Sequence, residues 1–89
     1  MFKPVNYTFP RTNFVDNSLF DQLEHVKSEL DETIQAYLHE PIERAAEELV
    51  DLYHSVETAL RIIDERYVPI KVIIAQVEKK NRERGYYRD

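Results

Sequence analysis

In this sequence the residues that could do chemistry are carboxylates. Glu29 and Glu32 stand three residues apart, and so do Glu48 and Asp51. Residues three apart lie on neighbouring parts of one helix face. Two such pairs on antiparallel helices can place four carboxylates around one point. Hard divalent cations, Mg²⁺ above all, take oxygen ligands of this kind and bridge them to substrate phosphates. The same spacing recurs in Asp21/Glu24 and Glu40/Glu43, as expected with 17 acids among 89 residues. Spacing alone therefore leaves two readings open, a metal site and a solvated charged face.

Helical phase bears on that choice. Glu29 falls roughly 100° from the centre of the Leu23–Leu30–Ile34 stripe, and Glu48 roughly 90° from the Leu49–Val56–Leu60 stripe. Both are displaced in the same rotational sense, and Glu32 and Asp51 lie further round on that side. In one of the two placements of an antiparallel pair, the four acids converge. Gathered carboxylates repel and raise one another's pKa. A cation is the simplest reason for a fold to gather them.

Other site chemistries are excluded or lack a signal. There is no Cys, so there is no disulfide framework, thiolate metal site or Cys nucleophile. His25, His39 and His54 show no ligand spacing and read as surface or semi-buried residues. The single glycine, Gly85, forms no phosphate-cradling loop, and no serine sits in a nucleophile elbow.

The elements that would position the acids are helical. Asp16, Asn17 and Ser18 are all N-cap types, and Leu19, Leu23, Val26, Leu30, Ile34 and Tyr37 recur at helical steps. This predicts a first helix from near Ser18 to near His39. Pro41 suits the first turn of a second helix, whose apolar positions run from Ile42 through Ala45, Leu49, Leu52, Val56 and Leu60 to Ile63. The connection is short, which predicts an αα-hairpin. A third helix is expected from near Pro69, with Ile70, Ile73, Ile74 and Val77 on its apolar face and Gly85 as its stop. Ahead of these, Pro4 and Pro10 break regular structure, and residues 1–17 read as an arm. Its Phe2, Tyr7, Phe9 and Phe14 are too apolar for a free tail and are expected to pack on the domain or on a partner subunit. The fold class is thus all-α, an antiparallel helical hairpin plus a third helix.

Composition sets limits on partners. The net charge of −5 does not suit a nucleic-acid backbone, which needs a clustered positive surface. No apolar run approaches the ~18 residues of a membrane span, and the start of the chain lacks a signal-peptide pattern. The expectation is a soluble cytoplasmic protein with neither a nucleic-acid polymer nor a membrane as partner. A domain this small buries only about 60–65% of its unfolded surface. Homo-oligomerisation is therefore expected to complete the helical bundle. The charge is uneven, with five Lys or Arg against two acids from Lys79 to Asp89. On the phase of Ile70, Ile73 and Val77, the residues Lys80, Asn81 and Arg84 continue the inner side. They read either as cations favoured at a helix C-terminus or as a phosphate-binding set. Tyr86 and Tyr87 are candidates to stack on a base or simply to pack.

Taken in order, Glu29-x-x-Glu32, fifteen intervening residues and Glu48-x-x-Asp51 resemble the ExxE–ExxD signature of all-α nucleoside triphosphate pyrophosphohydrolases. HVKSELDETIQAYL is similar to that family's first motif helix and AAEELVDLYHSV to its second. The ending KKNRERGYY resembles the tail of small MazG-like members. Two positions depart from the pattern: Ser28 stands where many members carry a further acid, and Val50 where many carry a small residue. The resemblance covers about Ser18 to Tyr87 and implies a MazG-like domain over 18–89. It implies Mg²⁺-dependent hydrolysis, with Mn²⁺ as a substitute, of a nucleoside triphosphate to the monophosphate and pyrophosphate. Glu29, Glu32, Glu48 and Asp51 would hold the metal, and Glu29 or Glu32 would act on the attacking water. Lys80, Asn81 and Arg84 would meet the phosphates, in a homodimer or homotetramer. The alternative expectation is a non-catalytic helical interaction module or a nucleotide-binding adaptor.

Overall fold

The computed structural model describes residues 5–88; Phe2 and Pro4 of the arm lie outside them. It contains three α-helices, α1 (Leu19–His39), α2 (Ile42–Arg66) and α3 (Ile70–Glu83). A 3-10 turn at Asn13–Asp16 precedes them, and there is no strand among the described residues. Among the described residues, no helix is long and apolar enough to cross a membrane.

Local chemistry accounts for the boundaries. Ser18 caps α1, its hydroxyl accepting from the Asp21 amide at 3.1 Å. Pro41 pushes Glu40 into extended backbone and so ends α1. It then serves as the N-cap of α2, one position outside the helix rather than in its first turn. The amide of Ile70, at the start of α3, donates to the Asp64 carboxylate at 2.9 Å, a cap supplied by the preceding helix. At the other end Gly85 takes φ +74°. The Gly85 amide donates to Arg82 O and the Tyr86 amide to Asn81 O, both at 3.0 Å. Those two bonds make a Schellman motif, which needs a residue free of Cβ strain at Gly85.

The hairpin pairs through an unexpected face. Gln22, Val26, Glu29, Thr33 and Ala36 line the inner side of α1; Ala45, Glu48, Leu52, Ser55, Ala59 and Ile62 line that of α2. Small residues at Ala36 and Ala45 let the helices approach near the hairpin tip, where both are buried. Further along, Gln22 is buried and its Nε2 donates to Ser55 O at 3.0 Å, while Asn17 Nδ2 donates to the Gln22 side-chain Oε1 at 3.1 Å. The apolar stripes expected to form the core point elsewhere. Leu30 is 46% exposed and Leu49 is 55% exposed. The seam thus runs along the flank that carries Glu29, Glu48 and Asp51, while Glu32, the fourth acid of the converging placement, stays exposed outside it.

The third helix meets the hairpin mainly through Ile70, which is buried, while Ile73, Ile74 and Val77 stay partly exposed. The radius of gyration is 15.1 Å, against about 12 Å for a compact domain of this length. One chain therefore leaves apolar stripes on all three helices without a covering layer.

The arm does pack on the domain. Arg11 pairs with Glu65, Arg61 donates to Phe9 O at 2.6 Å, and Arg66 donates to Val15 O and, at 2.7 Å, to Asn17 O. Phe9 stacks on His54 with ring centroids 4.4 Å apart, and the Arg61 guanidinium lies 4.3 Å from the Tyr7 ring centroid. Val15 is buried beneath the turn.

Candidate metal centre

Glu29 from α1 and Glu48 and Asp51 from α2 each offer one carboxylate oxygen, and the three oxygens lie within 4.8 Å of one another. The seam explains the meeting. Glu29 and Glu48 belong to the two inner faces, so pairing the helices brings them together, and one helical turn carries Asp51 to the same level. Their side chains are largely withdrawn from solvent, Glu29 at 15% exposure and Glu48 at 16%. Burial pushes the Glu29 carboxyl above its usual range, Glu32 adds repulsion, and Asp51 and Glu48 reinforce it, while His25 offsets part of the rise.

Two neighbours supply positive charge or a donor. His25 Nε2 stands 3.2 Å from Glu29 Oε1. Arg44 donates to Glu48 at 3.0 Å, and it is shared with Glu47 and, more distantly, with Glu40. The remaining acceptor oxygens are available to an incoming ligand. An all-carboxylate donor set with partial solvent access fits a hard divalent cation, which binds oxygen and retains water. Oxygens around one Mg²⁺ span about 4 Å at most, given bond lengths of about 2.0–2.1 Å. The three oxygens lie within a slightly wider bound of 4.8 Å, and Asp51 is the exposed member of the group.

The other acids and cations sit differently. Glu32 is exposed and outside the three-carboxylate group, reaching it through its charge on Glu29. Lys80, Asn81 and Arg84 do not line the cleft beside the carboxylates. Arg84 instead lies 5.9 Å from the Tyr86 ring centroid, and Arg82 lies 5.1 Å from that of Tyr87. Both tyrosines thus meet arginines of their own segment.

That cleft, about 280 Å³, is built from three elements. Thr12 and Phe14 come from the arm, Gln22, His25 and Glu29 from α1, and Asp51, His54, Ser55 and Thr58 from α2. Neither histidine belongs to the carboxylate group. Both nevertheless line the cleft, and a signal was present. His25 stands four residues before Glu29 and His54 three after Asp51, so each shares its acid's helix face. His54 Nε2 is buried without a hydrogen-bond partner. Nothing in the helical pattern pointed to Thr12, Gln22, Ser55 or Thr58, because their place in the cleft depends on the arm and on the hairpin register.

A second carboxylate is buried nearby. Glu57 is 4% exposed and accepts the Thr8 amide at 2.8 Å and the Phe9 amide at 2.9 Å. Burial by itself would raise this carboxyl. The Thr8 and Phe9 amides, with the Tyr53 and Thr8 hydroxyls, override it and hold the group below its usual range. No protein-family model, no curated protein and no solved structure matches this chain.

Proposed function

We propose that this protein hydrolyses a nucleoside triphosphate to the monophosphate and pyrophosphate with Mg²⁺, at the seam between α1 and α2. The observation that carries the reading is the meeting of Glu29, Glu48 and Asp51 oxygens within 4.8 Å, at three of the four motif positions. Glu29, Glu48 and Asp51 hold the cation, and Glu32 completes the acidic set from the adjoining turn. A bound Mg²⁺ supplies charge neutralisation for the triphosphate and makes a water easier to ionise.

The chain's own groups do the rest. Glu29 or Glu32, through a carboxylate oxygen, takes a proton from the attacking water. The water oxygen bonds to the α-phosphorus as the bond to the β-bridging oxygen breaks, and pyrophosphate leaves with the electron pair. Lys80, Asn81 and Arg84 bind phosphate oxygens. Since these three lie off the cleft within one chain, a homodimer or homotetramer delivers them in this reading. Self-association also covers the outward stripes of α1, α2 and α3 and completes the bundle. The apolar groove of about 380 Å³ at the hairpin tip, where Ile34, Tyr37, Ile42 and Leu49 meet, is part of that surface.

The same outward stripes favour one other reading, a non-catalytic helical interaction module or nucleotide-binding adaptor. Pyrophosphate release from a panel of ribo- and deoxyribonucleoside triphosphates, with Mg²⁺ or with chelator, separates the two. Metal-dependent monophosphate and pyrophosphate, lost in Glu48→Gln with helicity intact, is the expected result. Release that is unchanged in Glu48→Gln takes the seam out of the reaction. No release from any nucleotide favours the module.

A further inference from the structure

We propose that Phe14 is the residue that recognises the ring of the substrate, held by the arm as a stacking wall over the cleft. The base then lies against Phe14 and His25, and the triphosphate runs to the carboxylate seam. This inference rests on the reading of the substrate as a nucleotide.

Four observations support it. First, Phe14 is 55% exposed although its neighbour Val15 is buried. Its position is set by backbone anchors rather than by burial of its own ring. The Phe14 amide donates to the Thr12 hydroxyl at 3.3 Å, and Arg66 ties down Val15 O and Asn17 O. An aromatic ring kept half in solvent by a fixed turn leaves much of its surface open to a planar ligand. Second, that ring continues into the carboxylates. Phe14 and His25 centroids are 5.8 Å apart at 32°, and His25 Nε2 is 3.2 Å from Glu29 Oε1. A ligand touching the wall is therefore adjacent to the metal end.

Third, the size suits part of a nucleotide. The cleft's volume of about 280 Å³ falls just under the roughly 300–1,000 Å³ of pockets that enclose whole ligands. It takes a ring, while the charged chain of the ligand lies over the open seam. Fourth, the hydroxyl-bearing residues Thr12, Ser55 and Thr58 line the same cleft. Stacking tolerates any base, so these edge groups are the ones positioned to discriminate among bases.

The arm thereby acquires a role in the site. Its anchors on α2 (Glu57, Arg61 and Arg66) fix where Phe14 stands, and they are positioning residues for it.

Phe14→Ala and Phe14→Trp in the full chain test the wall. The ring is half exposed, so neither change removes core packing. Loss of one stacking partner is expected to raise KM about tenfold in Phe14→Ala with kcat unchanged, and Phe14→Trp restores KM. A second readout needs neither metal nor turnover. Uncharged nucleosides are titrated in chelator, and the His25 ring-proton shifts are followed by NMR. Shifts in the wild type and Phe14→Trp but not in Phe14→Ala support the wall. An unchanged KM in Phe14→Ala for every nucleotide, or nucleoside shifts that survive that substitution, overturns it. Hydrolysis without any dependence on Phe14 sinks this inference and leaves the reaction standing. Nucleoside binding through Phe14 without hydrolysis does the reverse. A wild type that neither binds nor hydrolyses overturns both.

Discussion

Two carboxylates on α2, Glu48 and Glu57, are both withdrawn from water, yet their surroundings are opposite. Glu57 is met by two backbone amides and two hydroxyls, and its pKa is lowered. Glu48 faces Glu29 and Asp51, with Arg44 on one side, and in that group the Glu29 pKa is raised. A buried acid with a full set of donors is a fastening. A group of acids drawn together without one holds repulsion that a cation can relieve. The same helix thus carries a structural carboxylate and a candidate catalytic set nine residues apart.

Substitutions that keep shape and remove charge should divide the two regions. The largest effect is expected from Glu29→Gln. It should lower Mg²⁺-dependent turnover by more than about 100-fold, beyond the loss typical of groups that only support a metal ligand. In chelator the same variant should be no less stable than the wild type and should gain up to about 1 kcal/mol, because repulsion is removed. Urea denaturation with and without Mg²⁺ checks both halves. A marked loss of stability in chelator would make Glu29 a fastening like Glu57.

Next in size is Glu57→Gln. Its carboxylate holds the arm through charge-assisted bonds, so its loss should cost about 2 kcal/mol in urea denaturation. The arm should loosen with it, seen as NMR line broadening at Tyr7 and Phe9. Mg²⁺ should not restore that loss, in contrast to the behaviour of the seam.

The smallest effect is a pH dependence. Glu57 has a folded pKa below its unfolded value, so its contribution is complete above the unfolded pKa of about 4.3 and is lost as pH falls through the folded value. Glu29 works the other way in metal-free protein. Its folded pKa is raised, so the cost of ionising it appears as pH rises through that value. Acid should therefore release the arm before it disturbs the seam. Amide hydrogen exchange of the arm against that of α1, measured between about pH 3 and pH 6, reads the order.

The contrast also explains what could be read beforehand. Helix ends were legible at Ser18, Pro41, Pro69 and Gly85, because caps and proline act over one turn of chain. The meeting of Glu29, Glu48 and Asp51 was legible as one of two placements. Phase fixes which flank an acid occupies but not which flank the partner helix covers. Small residues at Ala36 and Ala45 and the Gln22–Ser55 bond go with pairing through the acidic flank, leaving the Leu30 and Leu49 stripes outward. Glu57 carried no signal at all. Its backbone-amide partners are 48 and 49 residues away, and its spacing matches any surface acid. Glu32 shared its motif with Glu29 yet stands outside the group of three, because the inner face of α1 passes through Glu29 and Thr33.

A divalent cation in the α1–α2 seam is read out by Mn²⁺ titration followed by paramagnetic broadening of the amide resonances. Broadening should centre on residues 29, 48 and 51 at substoichiometric Mn²⁺, be reversed by excess Mg²⁺ and be absent in Glu48→Gln. Broadening spread over exposed acids such as Glu24 and Glu83, or unaltered by Glu48→Gln, would contradict it.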